Sequence, residues 1–307
     1  MKHVFILNPV AGLQKAEKRI LPRIIDAVKA EDVSYEIHRT VNVGDAENYV
    51  RKRCRTCSGD GLRFYAVGGD GTLNEVVNGA YGFSNVEVGF IPAGTGNDFA
   101  RIFTNPHFFH DIKRQIGGTA KKIDLISYGD KIIVNMLNIG LDCAVVKNKE
   151  DVKRKYGIRG PLAYIAGVGI VFVSNQGFPL KVTTGDGREF NEEFTLVAVG
   201  NGAYCGGGFK GVPKASVVDG LLDVSLIRKV RRRTFAALIS KYRKGTHLES
   251  AMAQDIISYI KCKSLIIEPP EYMDICVDGE VFSSGRLELS ILPSAISFSL
   301  PYGCEFI

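Results

Sequence analysis

The stretch GGDGTLNEVVNG at residues 68–79 decides the fold of the N-terminal part of the chain. It follows residues 63–67, which we interpret as a parallel strand. Three glycines within four residues leave backbone N–H groups able to face an anion. A helix predicted at 72–80 would add the positive end of its dipole, and the spacing of Thr72 and Glu75 predicts a capping box. The stretch therefore predicts a strand–loop–helix unit that binds phosphate.

Asp70 places a negative charge within a loop that is predicted to bind phosphate, which is also negative. We favour the explanation that Asp70 coordinates Mg²⁺ beside the phosphates. A second loop of the same kind, Pro92-Ala93-Gly94-Thr95-Gly96-Asn97-Asp98, follows a predicted strand at 86–91. It places Asp98 at the start of a helix predicted at 98–103. A plain glycine turn and a simple helix cap are the alternative interpretations. Two such loops, each with an aspartate, favour a phosphate–metal site.

Outward from these loops, residues 1–126 alternate between strand and helix patterns, which indicates a mostly parallel sheet covered by helices. The predicted strands are 4–7, 34–38, 63–67 and 86–91, and further helices are predicted at 13–30 and 45–53. The opening strand ends in Asn8-Pro9-Val10-Ala11-Gly12, where ligands of such sheets bind.

Beyond residue 126 short strand patterns dominate, which predicts an antiparallel sandwich or barrel. The expected strands are 131–139, 180–184, 194–200, 222–227, 265–267, 274–277, 287–292 and 296–300, and the expected helices are 161–173 and 233–244. Turns are expected at Asp278-Gly279 and at Pro293-Ser294. We therefore predict an α/β domain at 1–126 and a β-rich domain at 127–295, with the end of the chain, 296–307, able to return to the first domain.

The net charge is +6, from 39 basic and 33 acidic residues in a chain of 307. This suits an anionic ligand or an anionic membrane surface. The basic run 228–233 could anchor to such a surface or form a solvated connection. Nucleic-acid binding is not expected, because aromatic residues do not interleave with the basic ones. Neither an 18-residue apolar run nor a secretory signal is found, so we expect a cytoplasmic protein.

Several phosphate and nucleophile motifs are absent from the sequence. It has no Gly-x-x-x-x-Gly-Lys-Ser/Thr, no Gly-x-Gly-x-x-Gly after the first strand, and no Gly-x-Ser-x-Gly. P-loop enzymes, Rossmann dinucleotide enzymes and α/β-hydrolases are therefore not supported.

Taken together, the two glycine loops resemble the diacylglycerol kinase catalytic domain family, which includes bacterial soluble lipid kinases and sphingosine kinases. The resemblance covers nearly the whole chain. It also includes Ile123-Asp124-Leu125, Asn138-Ile139-Gly140, residues 159–164, Val199-Gly200-Asn201, Asp219-Gly220-Leu221 and Asp278-Gly279-Glu280. The Gly-Gly-Asp-Gly-Thr loop alone is less specific, because NAD kinases share it.

The resemblance implies an α/β nucleotide-binding domain followed by a β-rich domain, with the active site in the cleft between them. It implies transfer of the ATP γ-phosphoryl group to a lipid alcohol, most simply diacylglycerol to give phosphatidate. The catalytic residues implied are Asp70 and Asp98, which hold Mg²⁺, and Glu280 as general base. The nucleotide contacts implied are Asn8, Pro9, Val10, Ala11, Gly12, Thr40, Gly68, Gly69, Asp70, Gly71, Thr72 and Thr95. A structural Mg²⁺ would be held by Asp219, with Ser216 and Leu221 supplying backbone oxygens.

Two other functions stay open beside the lipid kinase. One is an NAD kinase-like or other small-molecule kinase, and the other is a catalytically silent regulator that binds lipid or nucleotide. The expected partners are a lipid alcohol substrate and, transiently, an anionic membrane surface at the inner face of the membrane. A homodimer is also left open.

Overall fold

The computed structural model describes residues 1–14, 16–57, 61–140, 143 and 177–307. The helix expected at 161–173 and the motif at 159–164 lie outside these residues. Internal contacts divide the chain into a first unit, Met1–Asp124 with Pro293–Ile307, and a second unit, Leu125–Leu292. The sequence predicted a boundary at 126 and a return near 296.

The first unit is built on parallel strands flanked by helices. Its strands are β1 Lys2–Leu7, β2 Tyr35–Arg39, β3 Leu62–Gly68 and β4 Val86–Pro92, in the spatial order β2-β1-β3-β4. Its helices are α1 Ala11–Gln14, α2 Ala16–Ala30, α3 Asp45–Arg55, α4 Asp70–Ala80 and α5 Ile112–Ile116, with short 3₁₀ turns at Phe99–Ile102 and Pro106–His110. All of β3 is buried, as is typical of a central parallel strand with both faces covered.

The second unit is antiparallel. After β5 Thr119–Tyr128, which crosses from the first unit, its described strands are β6 Lys131–Ile133, β7 Met136–Gly140, β8 Phe178–Thr184, β9 Glu189–Gly200, β10 Leu222–Arg228, β11 Ile257–Cys262, β12 Ser264–Glu268, β13 Met273–Val277 and β14 Glu280–Ser284. They are joined in the order β14-β13-β7-β9-β8-β12, and β10 pairs with both β9 and β11. Among the described residues of this unit there is one longer helix, α6 Arg232–Lys244, in which Leu238 and Tyr242 are buried.

The last strand, β15 Leu287–Leu300, contributes to both units. Its first residues pair with β12, and Ser297 and Phe298 pair in parallel with β4. Within the first unit the ring of Phe298 stacks on Phe103 at 5.7 Å between centroids and meets Phe99 edge-on at 5.3 Å. The end of the chain therefore completes the core of the first unit.

The turn predicted at Pro293-Ser294 is wrong, because β15 runs through it. Ser294 takes a positive φ of 52°, and its N–H donates to the Asp124 carboxylate at 2.7 Å. The strand therefore bends locally without ending. Asp124, which is buried, supplies the acceptor that makes the bend stable.

Two predictions about helix starts are also wrong. Helix α4 begins at Asp70 with Gly69 as its N-cap and no side-chain cap, so the capping box does not form. Glu75 instead accepts the N–H of Ala46 at 3.1 Å, because α3 packs against α4. The helix predicted at 98–103 is only the four-residue 3₁₀ turn Phe99–Ile102, and Asp98 makes no side-chain cap there.

Candidate active site

Three loops meet at the carboxyl ends of the parallel strands in the first unit. The loop after β1 contains Asn8, whose side chain accepts the N–H of Val10 at 3.1 Å and donates to the Thr72 hydroxyl at 3.2 Å. This one amide therefore joins the loop after β1 to the loop after β3. Thr40 follows β2 at the same edge of the sheet, with its N–H bonded to Leu7.

The loops after β3 and β4 are in backbone contact. The N–H groups of Ala93 and Gly94 both donate to the Gly68 carbonyl, at 2.7 and 3.2 Å. A Cβ on Gly94 would stand 2.6 Å from the Cα of Gly69, which no side chain can accept. Glycine is needed here because the two main chains approach so closely. The predicted nucleotide residues of these loops, 68–72 and Thr95, thus share one edge of the sheet with Asn8.

Asp70 and Asp98 are brought together beside Gly96. The N–H of Phe99 donates to Asp70 Oδ1 at 3.2 Å. A Cβ placed on Gly96 would lie 3.1 Å from Asp70 Oδ2 and 3.4 Å from Asp98 Oδ2. The Arg101 Nε lies 3.3 Å from the other oxygen of Asp98. The structure therefore places the two aspartates that the sequence assigned to Mg²⁺ in one small region.

Burial raises the pKa of Asp70, although backbone N–H groups of Phe99, Asp98 and Asn97 partly oppose this. A carboxylate in such a place is stabilised in its charged form by a nearby cation. Within the described ranges, no group of three or more His, Cys, Asp or Glu side chains is arranged to hold a metal. Two carboxylates nevertheless fit Mg²⁺, which is commonly bound by one or two carboxylates with water and substrate phosphates.

Asn97 is a residue that the sequence analysis missed. Its φ is 51°, and its side chain accepts from the Gly94 N–H and donates to the Gly94 carbonyl, both at 3.0 Å. These two bonds close the loop that carries Asp98. Asparagine tolerates positive φ better than most residues, so its position after Gly96 was the available signal.

Glu280 lies in the second unit, at the first position of β14, with its side chain exposed. Asp278 and Gly279 form the two-residue turn before it, with φ values of 47° and 92°, and Val277 pairs with Glu280. Positive φ at both positions is the hairpin geometry that Asp-Gly favours. The predicted turn is therefore confirmed, while the catalytic role of Glu280 stays a prediction.

Asp278 also binds backbone N–H groups near the start of β7, a role that the sequence analysis did not identify. Its buried carboxylate accepts the backbone N–H groups of Val134, Asn135 and Met136 at 2.8, 3.0 and 2.9 Å. Its own N–H donates to the Met136 carbonyl at 3.0 Å. The hairpin that carries Glu280 is thereby fixed to the main chain at the start of β7.

The predicted structural metal position holds a lysine ammonium. Asp219 Oδ1 accepts the N–H of Leu221 at 3.1 Å, and Asp219 Oδ2 lies 2.6 Å from Lys261 Nζ. The same Nζ lies 3.1 Å from Asp223 Oδ2 and 3.0 Å from the Lys214 carbonyl. Because the ammonium already occupies these oxygens, the arrangement does not fit a divalent cation, and we derive no role for Mg²⁺ here.

The basic run 228–233 is divided by the fold. Arg228 and Lys229 pair with Glu192 and Glu193 on β9, so their charge is balanced. The three arginines at 231–233 are exposed at the beginning of α6. Cations are unfavourable at a helix N-terminus. Among the described residues, no helix is both long and apolar enough to span a bilayer.

Comparison with known proteins agrees with this architecture. Residues 2–128 match the model of the diacylglycerol kinase catalytic domain, and residues 135–299 match the YegS C-terminal NAD kinase beta sandwich-like domain. The chain is 31% identical over 250 residues to a "Probable lipid kinase YegS-like" of Pseudomonas aeruginosa (strain UCBPP-PA14), covering 79% of this chain and 78% of the other. A Yersinia enterocolitica protein of the same name is 26% identical over 285 residues, covering 91% and 92%.

Solved structures share the fold. A structure from Bacillus anthracis str. Sterne superposes with a TM-score of 0.74 at 25% identity, covering 97% of this chain and 96% of the other. Another from the same organism, described as a diacylglycerol kinase, has a TM-score of 0.66 at 23% identity over the same shares. An α/β domain followed by a β-sandwich-like domain, predicted from the sequence, is thereby confirmed.

Proposed function

This chain belongs to the lipid kinases with a diacylglycerol kinase catalytic domain, and we propose from that premise that it phosphorylates diacylglycerol with ATP and Mg²⁺. The observation that carries the proposal is the convergence of Asp70 and Asp98 beside Gly96, next to two glycine loops. Phosphoryl transfer needs mainly positioning and neutralisation of charge, which amides, carboxylate-bound cations and a helix dipole can supply.

The loop at 68–72 and the beginning of α4 bind the phosphates through backbone N–H groups. The Asn8 side chain bonds to the Thr72 hydroxyl and to the N–H of Val10. It therefore keeps the loops after β1 and β3 in place around the phosphates. Mg²⁺, when bound at Asp70 and Asp98, neutralises charge on the transferred phosphoryl group. The backbone N–H of Phe99 fixes the orientation of the Asp70 carboxylate, so that its second oxygen faces Gly96.

Glu280 acts as the general base. The bond between the γ-phosphorus and the bridging oxygen breaks, the lipid oxygen bonds to phosphorus, and the hydroxyl proton passes to the Glu280 carboxylate as ADP leaves. An alcohol is a weak acid at neutral pH, so a carboxylate takes the proton late in the transfer. Asp278 supports this role by fixing the hairpin that carries Glu280.

The test is transfer of label from γ-labelled ATP to a panel of lipid alcohols in mixed micelles, with and without Mg²⁺. Labelled phosphatidate that requires Mg²⁺ is the expected result. If a different lipid were labelled, the assignment of diacylglycerol as the acceptor would be wrong, but the protein would still be a lipid kinase. Label on NAD or a soluble polyol alone would favour the small-molecule kinase. ATP binding with no transfer to any acceptor would favour the silent regulator.

We further propose that the protein works from the cytoplasm, at the inner face of the membrane, and binds anionic lipid through residues 231–233. Arg231 and Arg233 are exposed at the N-terminal end of α6, where positive charge is unfavourable, so an anionic partner would relieve that repulsion. Each basic residue near such a surface contributes about 1 kcal/mol. The homodimer that the sequence left open stays untested.

Vesicle sedimentation tests the membrane proposal. The R231Q/R233Q variant should lose binding to phosphatidylglycerol vesicles but not its fold. The R188Q/R286Q variant removes the same charge from arginines that are exposed and paired with acids, so it serves as the matched control. Equal loss in both variants would attribute binding to net charge and overturn the assignment to α6.

A further inference from the structure

Lys261 occupies the centre of an oxygen cage in the second unit. Strands β10 and β11 pair so that Lys261 stands directly opposite Asp223. Two residues along the same face of β11, the Tyr259 hydroxyl donates to Asp223 Oδ1 at 2.6 Å. Asp223 is completely buried, so its charge cannot be balanced by water and needs a cation beside it.

The ammonium of Lys261 donates hydrogen bonds to two oxygens and forms an ion pair with a third. These are Asp219 Oδ2 at 2.6 Å, the Lys214 carbonyl at 3.0 Å and Asp223 Oδ2 at 3.1 Å. Two carboxylates and a main-chain carbonyl are a hard-oxygen set that would also suit Mg²⁺ or Ca²⁺. A divalent cation among the same oxygens would stand beside the ammonium and be repelled by it.

We propose that Lys261 is a built-in substitute for a structural divalent cation, so that the second unit keeps its fold without Mg²⁺ at Asp219. The loop 214–221 is then tied to β10 and β11 through a covalently attached cation. Unlike a bound ion, this cation cannot dissociate when metal is scarce. The proposal concerns stability, so its test does not depend on the kinase reaction.

Thermal unfolding of the full chain, compared in EDTA and in Mg²⁺ or Ca²⁺, provides the test. Any effect of the two cations on the wild-type unfolding temperature should be the same in the D219N variant, because no metal binds at Asp219. The K261M variant removes the ammonium but keeps most of the side-chain length. It should unfold earlier in EDTA and recover when either cation is added, because the vacated oxygens can then bind metal.

Three variants control the experiment. K263M removes a neighbouring exposed lysine and should behave as wild type. K261R keeps a cation and should remain independent of metal. K261M/D219N should lose the recovery, which would assign the metal to this cage and not to Asp70 and Asp98.

Two results would overturn the proposal. The first is a wild-type unfolding temperature that rises with Mg²⁺ and no longer does so in D219N, because the site would then bind metal despite the lysine. The second is K261M that is destabilised equally in all solutions, which would make Lys261 an ordinary ion-pair partner. If K261M does not fold, wild type and D219N alone still decide between the proposal and a bound metal.

Discussion

Two pairs of neighbouring aspartates in the described part of the chain have their negative charge balanced in different ways. In the first unit Asp70 is oriented by a backbone N–H, and it faces Gly96 together with Asp98. In the second unit Asp219 and Asp223 share the ammonium of Lys261. Where we expect a cation to arrive with the substrate, the main chain orients the carboxylate. Where only stability is needed, a side chain supplies the charge.

Replacement of Asp70 should have the largest effect and should separate the two pairs most clearly. D70N removes the charge that would hold Mg²⁺, so kcat should fall at least about 100-fold. Stability should be unchanged or higher, because burial raises the pKa of this carboxyl and opposes its charge. Kinase turnover and urea unfolding measured on one preparation check both parts. A D70N protein with normal turnover would remove Asp70 from the mechanism.

The equivalent change in the second pair should invert this result. D223N keeps a partner for the Tyr259 hydroxyl but leaves the ammonium of Lys261 with one carboxylate fewer. We expect the free energy of unfolding to fall by no more than about 1 kcal/mol, because Lys261 is partly exposed and because burial raises the pKa of the Asp223 carboxyl and opposes its charge. Turnover of the folded fraction should be unchanged. D186N, in an exposed pair with Arg188, is the control.

Gly96 offers a way to perturb the first pair without changing its charge. G96A would place a Cβ 3.1 Å from Asp70 Oδ2 and 3.4 Å from Asp98 Oδ2, so one carboxylate must shift by a few tenths of an ångström. We expect about a 10-fold loss of turnover, since small displacements of catalytic groups reduce rates strongly. Binding of ATP in EDTA should hardly change. If G96A instead retains full turnover in Mg²⁺, the two carboxylates do not act together.

The smallest effect should come from acid, through a buried histidine in the first unit. Burial and Arg63 lower the pKa of His3 to about 4. The folded state therefore binds this proton less readily than the unfolded state, whose histidine titrates near 6.5. The contribution of neutral His3 to the free energy of unfolding should be fully present above pH 6.5. The free energy of unfolding should then fall by about 1 kcal/mol as the pH is lowered to about 5.5. Urea unfolding of wild type and H3Q, measured above pH 6.5 and at about pH 5.5, checks this. The H3Q variant should not show the loss of stability that protonation of His3 causes.

Much of the first unit was predictable, because parallel strands and glycine loops leave local signals. The loop at 68–72 follows a wholly buried strand, and its helix begins within two residues of the expected start. The prediction of a capping box was wrong because Glu75 accepts a hydrogen bond from the N–H of Ala46 in α3. No local sequence pattern reveals this contact. The course of β15 through Pro293-Ser294 also depends on a distant residue, Asp124.

The second unit was less predictable, because its important contacts join residues that are distant in the sequence. The family resemblance implied that Asp219 is a metal ligand, but it could not show that the ammonium of Lys261, 42 residues further along, would lie against its carboxylate. Strand pairing brings these residues together, and one sequence does not state its register. Asp278 was similarly understood only as a turn residue, although it binds three backbone N–H groups.

The position of β15 has a consequence for synthesis of the protein. Phe298, near the end of the chain, packs on Phe99 and Phe103, and the backbone of Phe99 holds Asp70. A ribosome must therefore release Phe298 before the first unit can complete its core. Until then the Asp70 carboxylate lacks its final support. The nascent N-terminal segment, although it carries both glycine loops, should remain inactive until Phe298 has emerged.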